Sequence, residues 1–105
     1  MDRDLDKALK MAERAVELQP MNASYIDTKA WVLHRLGRNE EAKQVMRQAL
    51  SLSSLQDASL LLHYGDILWA LGEKFMAETY WQKAVERGYD KELMDAHIKT
   101  LKRID

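Results

Sequence analysis

Residues 23–52 read ASYIDTKAWVLHRLGRNEEAKQVMRQALSL, two amphipathic segments that meet at Gly37. The first, Tyr25 to Leu36, follows Asn22-Ala23-Ser24, which supplies N-cap residues, and stops at a glycine placed for a left-handed C-cap. The second runs from Glu40 to about Leu52, with Asn39 available as its cap. Two short helices joined by a tight turn are expected, and neither can bury its apolar stripe alone.

The same spacing recurs on both sides of this hairpin. Ala8, Ala42 and Ala77 lie 34 and 35 residues apart, and Ala15, Ala49 and Ala84 keep those intervals. Counted from the first alanine of each set, offsets 0, 3, 4, 7 and 8 are apolar in all three copies. They are Ala8, Met11, Ala12, Ala15 and Val16, then Ala42, Val45, Met46, Ala49 and Leu50, then Ala77, Tyr80, Trp81, Ala84 and Val85. The intervening offsets are polar or charged, with Leu9 the lone exception. At 3.6 residues per turn this is one amphipathic helix written three times.

Outward from these copies, the first helix spans about 4–19 and is stopped by Pro20, which cannot extend a helix and disfavours it in the preceding residue. Ser51 to Asp57 forms a polar junction one residue longer than the one before, which accounts for the interval of 35. The helix from Asp57 to Leu71 is apolar around most of its circumference, as suits an element between two neighbours, and it ends at Gly72. Lys74 to Arg87 is the third alanine-spaced helix, closed by Gly88. A last helix, Lys91 to about Ile104 with Asp90 as cap, gathers Met94, His97, Ile98, Leu101 and Ile104 on one face. That face is expected to close the last hairpin at Tyr80 and Trp81.

Composition narrows the chemistry. The 105 residues suit one domain, 47% hydrophobic and 31% charged. A net charge of −1 and a pI near 6.3 give no long-range attraction for phosphates or anionic membranes. No cysteine is available for disulfides, thiolate catalysis or zinc, and no run approaches the roughly 18 apolar residues of a membrane span. The opening Met1-Asp2-Arg3-Asp4 is unlike a secretory signal.

The pattern resembles the tetratricopeptide repeat, a 34-residue unit of helix A, tight turn and helix B. Ala30 and Gly65 match its small residues in helix A, the six alanines match those in helix B, and Gly37 and Gly72 match its turns. Its large A-helix positions correspond to Ile26 and Leu33, then Leu61 and Leu68, and its large B-helix position to Met46 and Trp81. The usual proline after helix B is present only as Pro20; Ser54 and Gly88 stand in the other two places, and Lys29 replaces a usual apolar residue. The wording of Tyr25 to Gly37 and His63 to Leu68 is similar to bacterial arrays. The resemblance implies an all-α solenoid of antiparallel hairpins with about six helices in one domain, residues 1–105. Within it, 4–19 is helix B of a truncated repeat, 23–54 and 58–88 are repeats, and 90–104 is a capping helix.

In that family the A helices line the concave face. The resemblance therefore implies a binding surface of Asp27, Trp31 and His34 from the first A helix and Leu62, His63, Asp66 and Trp69 from the second. Tryptophans offer large, stiff contact area, and carboxylates accept charge-assisted hydrogen bonds from Lys or Arg. The expected partner is a protein or peptide segment with apolar and basic residues, held without catalysis or cofactor. The competing arrangement packs Trp31 and Trp69 between adjacent A helices and leaves the acids solvated. The family's lysine- and asparagine-rich clamp for C-terminal carboxylates is not matched, because Asp27 and Trp31 occupy two of its positions.

Other classes have less support. His63 and Asp66 share a helix face and His34 lies on a neighbouring helix, a spacing permissive for a metal, but the two histidines sit at unlike heights. RNA reading by stacked hairpins needs basic or polar concave positions, whereas these include Leu62, Trp69 and two aspartates. Because the first helix lacks its own A partner, its inner face around Leu5, Ala8 and Ala12 is expected to be partly bare; either more repeats precede it, as in a fragment of a longer array, which is the reading favoured, or another molecule covers the face, and self-association through it is the alternative to the groove.

Overall fold

The computed structural model describes residues 2–53 and 57–104, and all regular structure within them is helical. Six helices follow in order: α1 (Asp2–Leu18), α2 (Ala23–Arg35), α3 (Asn39–Leu52), α4 (Ala58–Ala70), α5 (Lys74–Glu86) and α6 (Lys91–Ile104). The middle of the Ser51–Asp57 junction, including Ser54, lies outside the described residues, as do the side chain of Ile104 and the chain's opening residue.

Local chemistry fixes the ends. Asn22 caps α2 by accepting from the Tyr25 amide at 3.1 Å, Asp57 caps α4 through the Ser59 amide at 2.7 Å, and Asp90 caps α6 through the Leu93 amide at 3.0 Å. Gly37 and Gly72 adopt φ of 80° and 84°, where a side chain would be strained. There the Arg38 amide reaches back to the Leu33 carbonyl and the Glu73 amide to that of Leu68, each at 2.9 Å, so the chain reverses within three residues. Asn39, expected as the cap of α3, instead begins that helix, and its side-chain oxygen meets His34 Nδ1 at 2.6 Å.

Neighbouring helices pack in chain order, α2 on α3 and α4 on α5 most closely, with α1 against α2 and α3 against α4. The first A/B pair buries Ile26, Ala30 and Leu33 of α2 against Ala42, Met46 and Ala49 of α3; the second buries Leu61, Gly65 and Leu68 of α4 against Ala77, Trp81 and Ala84 of α5. The second pair sets the small Gly65 of its A helix opposite the large Trp81 of its B helix. At Gly65 the fit leaves no room: a Cβ there would stand 2.5 Å from the Trp81 ring.

Helix α1 departs from the expectation. Leu9 is buried, and Met11, which the offsets place inward, is 73% exposed. The reason lies in its surroundings: among the described residues only α2 covers α1, so the side bearing Leu9 and Ala12 packs while the side bearing Met11 faces outward.

Helix α6 closes the other end through Met94, which is fully buried, with Ile98 and Leu101 half-buried beside it. It also carries a polar tether. His97 Nε2 approaches Asp66 Oδ1 of α4 at 2.7 Å, and the same oxygen accepts from Trp81 Nε1 at 2.9 Å. Asp66 is only 5% exposed, so these donors replace the water its carboxylate has lost.

Two stability outcomes follow. Gly65→Ala overpacks the Trp81 contact and Ala49→Leu or Ala84→Leu a fully buried one, each costing about 1–3 kcal/mol, whereas Arg47→Ala and Gln82→Ala at exposed positions stay within about 0.5 kcal/mol. Urea midpoints of the five variants check the packing, and equal midpoints would reject it. Asp66→Ala strands the Trp81 indole and frees His97, costing about 1–3 kcal/mol, while Asp66→Asn keeps the accepting oxygen and most of the stability. Thermal melts of these two decide whether the tether is real.

Candidate functional site

The A helices α2 and α4 lie side by side, and the candidate surface forms along their seam. Of the seven residues expected there, Asp27, Trp31, His34, Leu62 and His63 are half-buried at that seam. Asp66 and Trp69 are not. Asp66 is turned inward to Trp81 and His97, and Trp69 is 8% exposed with its ring centroid 5.5 Å from that of Trp81. Both face α5 because the A/B contact needs that side of α4, so the surface keeps one of its two tryptophans and one of its two aspartates.

Trp31 is the centre of what remains. Its ring lies 4.4 Å from that of His63, on the neighbouring A helix, and 4.9 Å from that of His34, one turn along its own helix. Each imidazole is oriented by a second contact. His63 Nδ1 meets Asp27 Oδ1 at 2.8 Å, and because a carboxylate only accepts, Nδ1 carries the proton. His34 Nδ1 meets the Asn39 side-chain oxygen at 2.6 Å in the same sense. The Nε2 atoms of both rings have no hydrogen-bond partner among the described residues. In the neutral ring, each offers a lone pair beside the indole.

The chemistry on offer is therefore an aromatic platform with two acceptors next to it. Asp27 is largely committed to His63, so its charge is shared across the α2–α4 seam. His34, His63 and Asp66 are not brought together: Asp66 serves α6, and among the described residues no group of three or more His, Cys, Asp or Glu side chains is placed to hold a metal. The pairing of His97 with Asp66 had no sequence signal beyond the position of His97 on an apolar face.

The flank toward α5 is ionic. Lys43 of α3 donates to both oxygens of Glu73 at 2.8 and 3.1 Å, and that carboxylate holds the ammonium above its usual range despite some desolvation. Lys74 Nζ stands 4.5 Å over the Trp69 ring. Trp69 Nε1 is buried and meets no acceptor among the described residues, which suits a ring held by packing rather than by polar contacts.

No described helix is long and apolar enough to cross a membrane. A search of curated proteins returns no match to the chain. The family model for the tetratricopeptide repeat matches residues 23–54, which span α2, the Gly37 turn and α3. The hairpin geometry, the small residues at the A/B contact and this match agree, and the chain carries a tetratricopeptide repeat at residues 23–54.

Proposed function

We propose that the chain is a non-enzymatic interaction module that holds a protein segment against the α2–α4 seam, with Trp31 as its anchor. Tetratricopeptide repeats in general mediate protein–protein interaction; the choice of this surface is carried by the half-buried Trp31 in tilted ring contact with two oriented imidazoles. A large ring held by two neighbouring rings loses little freedom on binding, and a partner's apolar side chain can cover the part left exposed. The free Nε2 atoms of His34 and His63 then accept from amide, hydroxyl or basic groups of the same segment. Leu62 extends the apolar area. The preference for basic residues rests on Asp27 alone, since Asp66 faces inward. With a net charge of −1, the chain offers nucleic acid no general attraction. The uncovered apolar face of α1 favours a second reading, self-association through that face.

Selection of binding peptides from a random library on the wild-type chain, followed by titration, tests the seam. Trp31→Ala is expected to cost about 2 kcal/mol or more of affinity, roughly 30-fold, with helical circular dichroism intact. Trp69→Ala is expected to destabilise the fold by about 3–5 kcal/mol, as truncation of a core tryptophan does. Selected peptides that bind the Trp31→Ala chain as tightly as the wild type would place recognition elsewhere.

A further inference from the structure

The two ends of the array expose unlike but matching surfaces. At one end an apolar groove of about 350 Å³ runs between α1 and α2, floored by Ala8, Ala12 and Ala15 and edged by Met11 and Val32. The repeat spacing shows what such a groove receives. On α3 and α5 the same offsets, Ala42, Met46 and Ala49 and then Ala77, Trp81 and Ala84, are buried to 1% exposure or less by the A helix of their own hairpin. The groove on α1 has the shape of a seat for an A helix.

At the other end α6 occupies the A position. Counted from the capping residues Asn22, Asp57 and Asp90, offset 4 is Ile26, Leu61 and Met94, and offset 11 is Leu33, Leu68 and Leu101. In α2 and α4 these residues are covered by the following B helix. In α6 Leu101 is half-buried, and an apolar groove of about 320 Å³ lies open between α5 and α6. The groove on α6 has the shape of a seat for a B helix, and by spacing α1 is one.

Two further features match the ends to each other. Within the α4–α5 hairpin the small A-helix residue at offset 8, Gly65, faces the large Trp81, and the same two offsets in the α2–α3 hairpin hold Ala30 and Met46, both fully buried. At the ends the sizes are exchanged: α6 carries Ile98 at offset 8, and α1 carries Ala12 where Met46 and Trp81 stand. A bulky A residue against a small B residue keeps the summed volume of the contact, whereas Ile98 against a Met or Trp would overfill it. Charge agrees as well. The exposed apolar stripe of α1, Met11, Ala15 and Leu18, is flanked by Lys10 and Arg14. The α5–α6 groove is edged by Glu78, Glu86 and Asp95 against the single Lys91, with Glu78 also 3.2 Å from Lys102.

We infer that the occupant of both grooves is a second copy of this chain, joined head to tail: α6 of one copy and α1 of the next form in trans an A/B hairpin that neither helix makes among the described residues. The inference rests on the self-association reading and names its geometry. The contact is heterologous, so each added copy leaves one free end of each kind and growth does not close at a dimer. The Trp31 seam stays open in such an assembly.

Sedimentation of the 105-residue chain over a concentration series tests it. The weight-average mass is expected to rise past twice the 12.2 kDa of one chain without a plateau. Met11→Glu spoils the α1 face, and Glu86→Lys with Asp95→Lys spoils the other groove; all three positions are exposed, so the helical circular dichroism should not change. Each altered chain alone is expected to be monomeric, and an equimolar mixture is expected to form a dimer and nothing larger, since one intact end of each kind remains. A wild-type chain that stays monomeric to about 1 mM would overturn self-association altogether. Altered chains that still associate singly, or a mixture that stays monomeric while the wild type assembles, would overturn the head-to-tail geometry and leave association through some other surface.

Discussion

The approach of α4 to α5 across Gly65 is the constraint from which much of the structure follows. Because no Cβ stands there, the Trp81 indole lies against the α4 backbone and its Nε1 reaches Asp66. That bond lets a carboxylate sit inside the array without bulk water. The same carboxylate then holds His97, and through it α6. One missing methyl group thus sets a ring, a charge and a helix in turn. The α2–α3 hairpin holds Ala30 and Met46 at the corresponding positions, both fully buried and neither with a polar group to place.

The architecture separates two kinds of surface. Along the A helices the exposed groups are aromatic and hydrogen-bonding, and their orientation is set by partners across the seam, Asp27 for His63 and Asn39 for His34. Beside α1 and α6 the open groups are largely apolar, in grooves that no described helix covers. Any partner of the lateral surface would have to match its polar groups, since an unmatched donor or acceptor is costly. Any occupant of the apolar grooves would have to match their shape.

The helices were legible in the sequence to within about two residues at each end, and for a physical reason. Alanine and glycine recur where backbones must touch, glycine where φ must be positive, and Asn or Asp where a first turn needs a cap, so the spacing records the geometry directly. The positions of the candidate surface residues were legible only in part. Asp27, Trp31, His34, Leu62 and His63 follow the repeat register, whereas the burial of Asp66 and Trp69 depends on Trp81 and His97, which lie 15 and 31 residues beyond Asp66. No local pattern encodes a hydrogen bond between residues so placed. Leu9 and Met11 exchanged roles for a related reason: periodicity tells which residues share a face, and only the neighbours present decide which face is covered.

The tether between Asp66 and His97 also bears on the order in which the molecule assembles. Helix pairs joined by a three-residue turn bring residues together across short loops, and such local contacts form early and fast. The tether closes a loop of 31 residues and needs Trp81 already seated beside Gly65 to receive it. By contact distance alone, α6 is expected to dock onto an α4–α5 hairpin that is already in place.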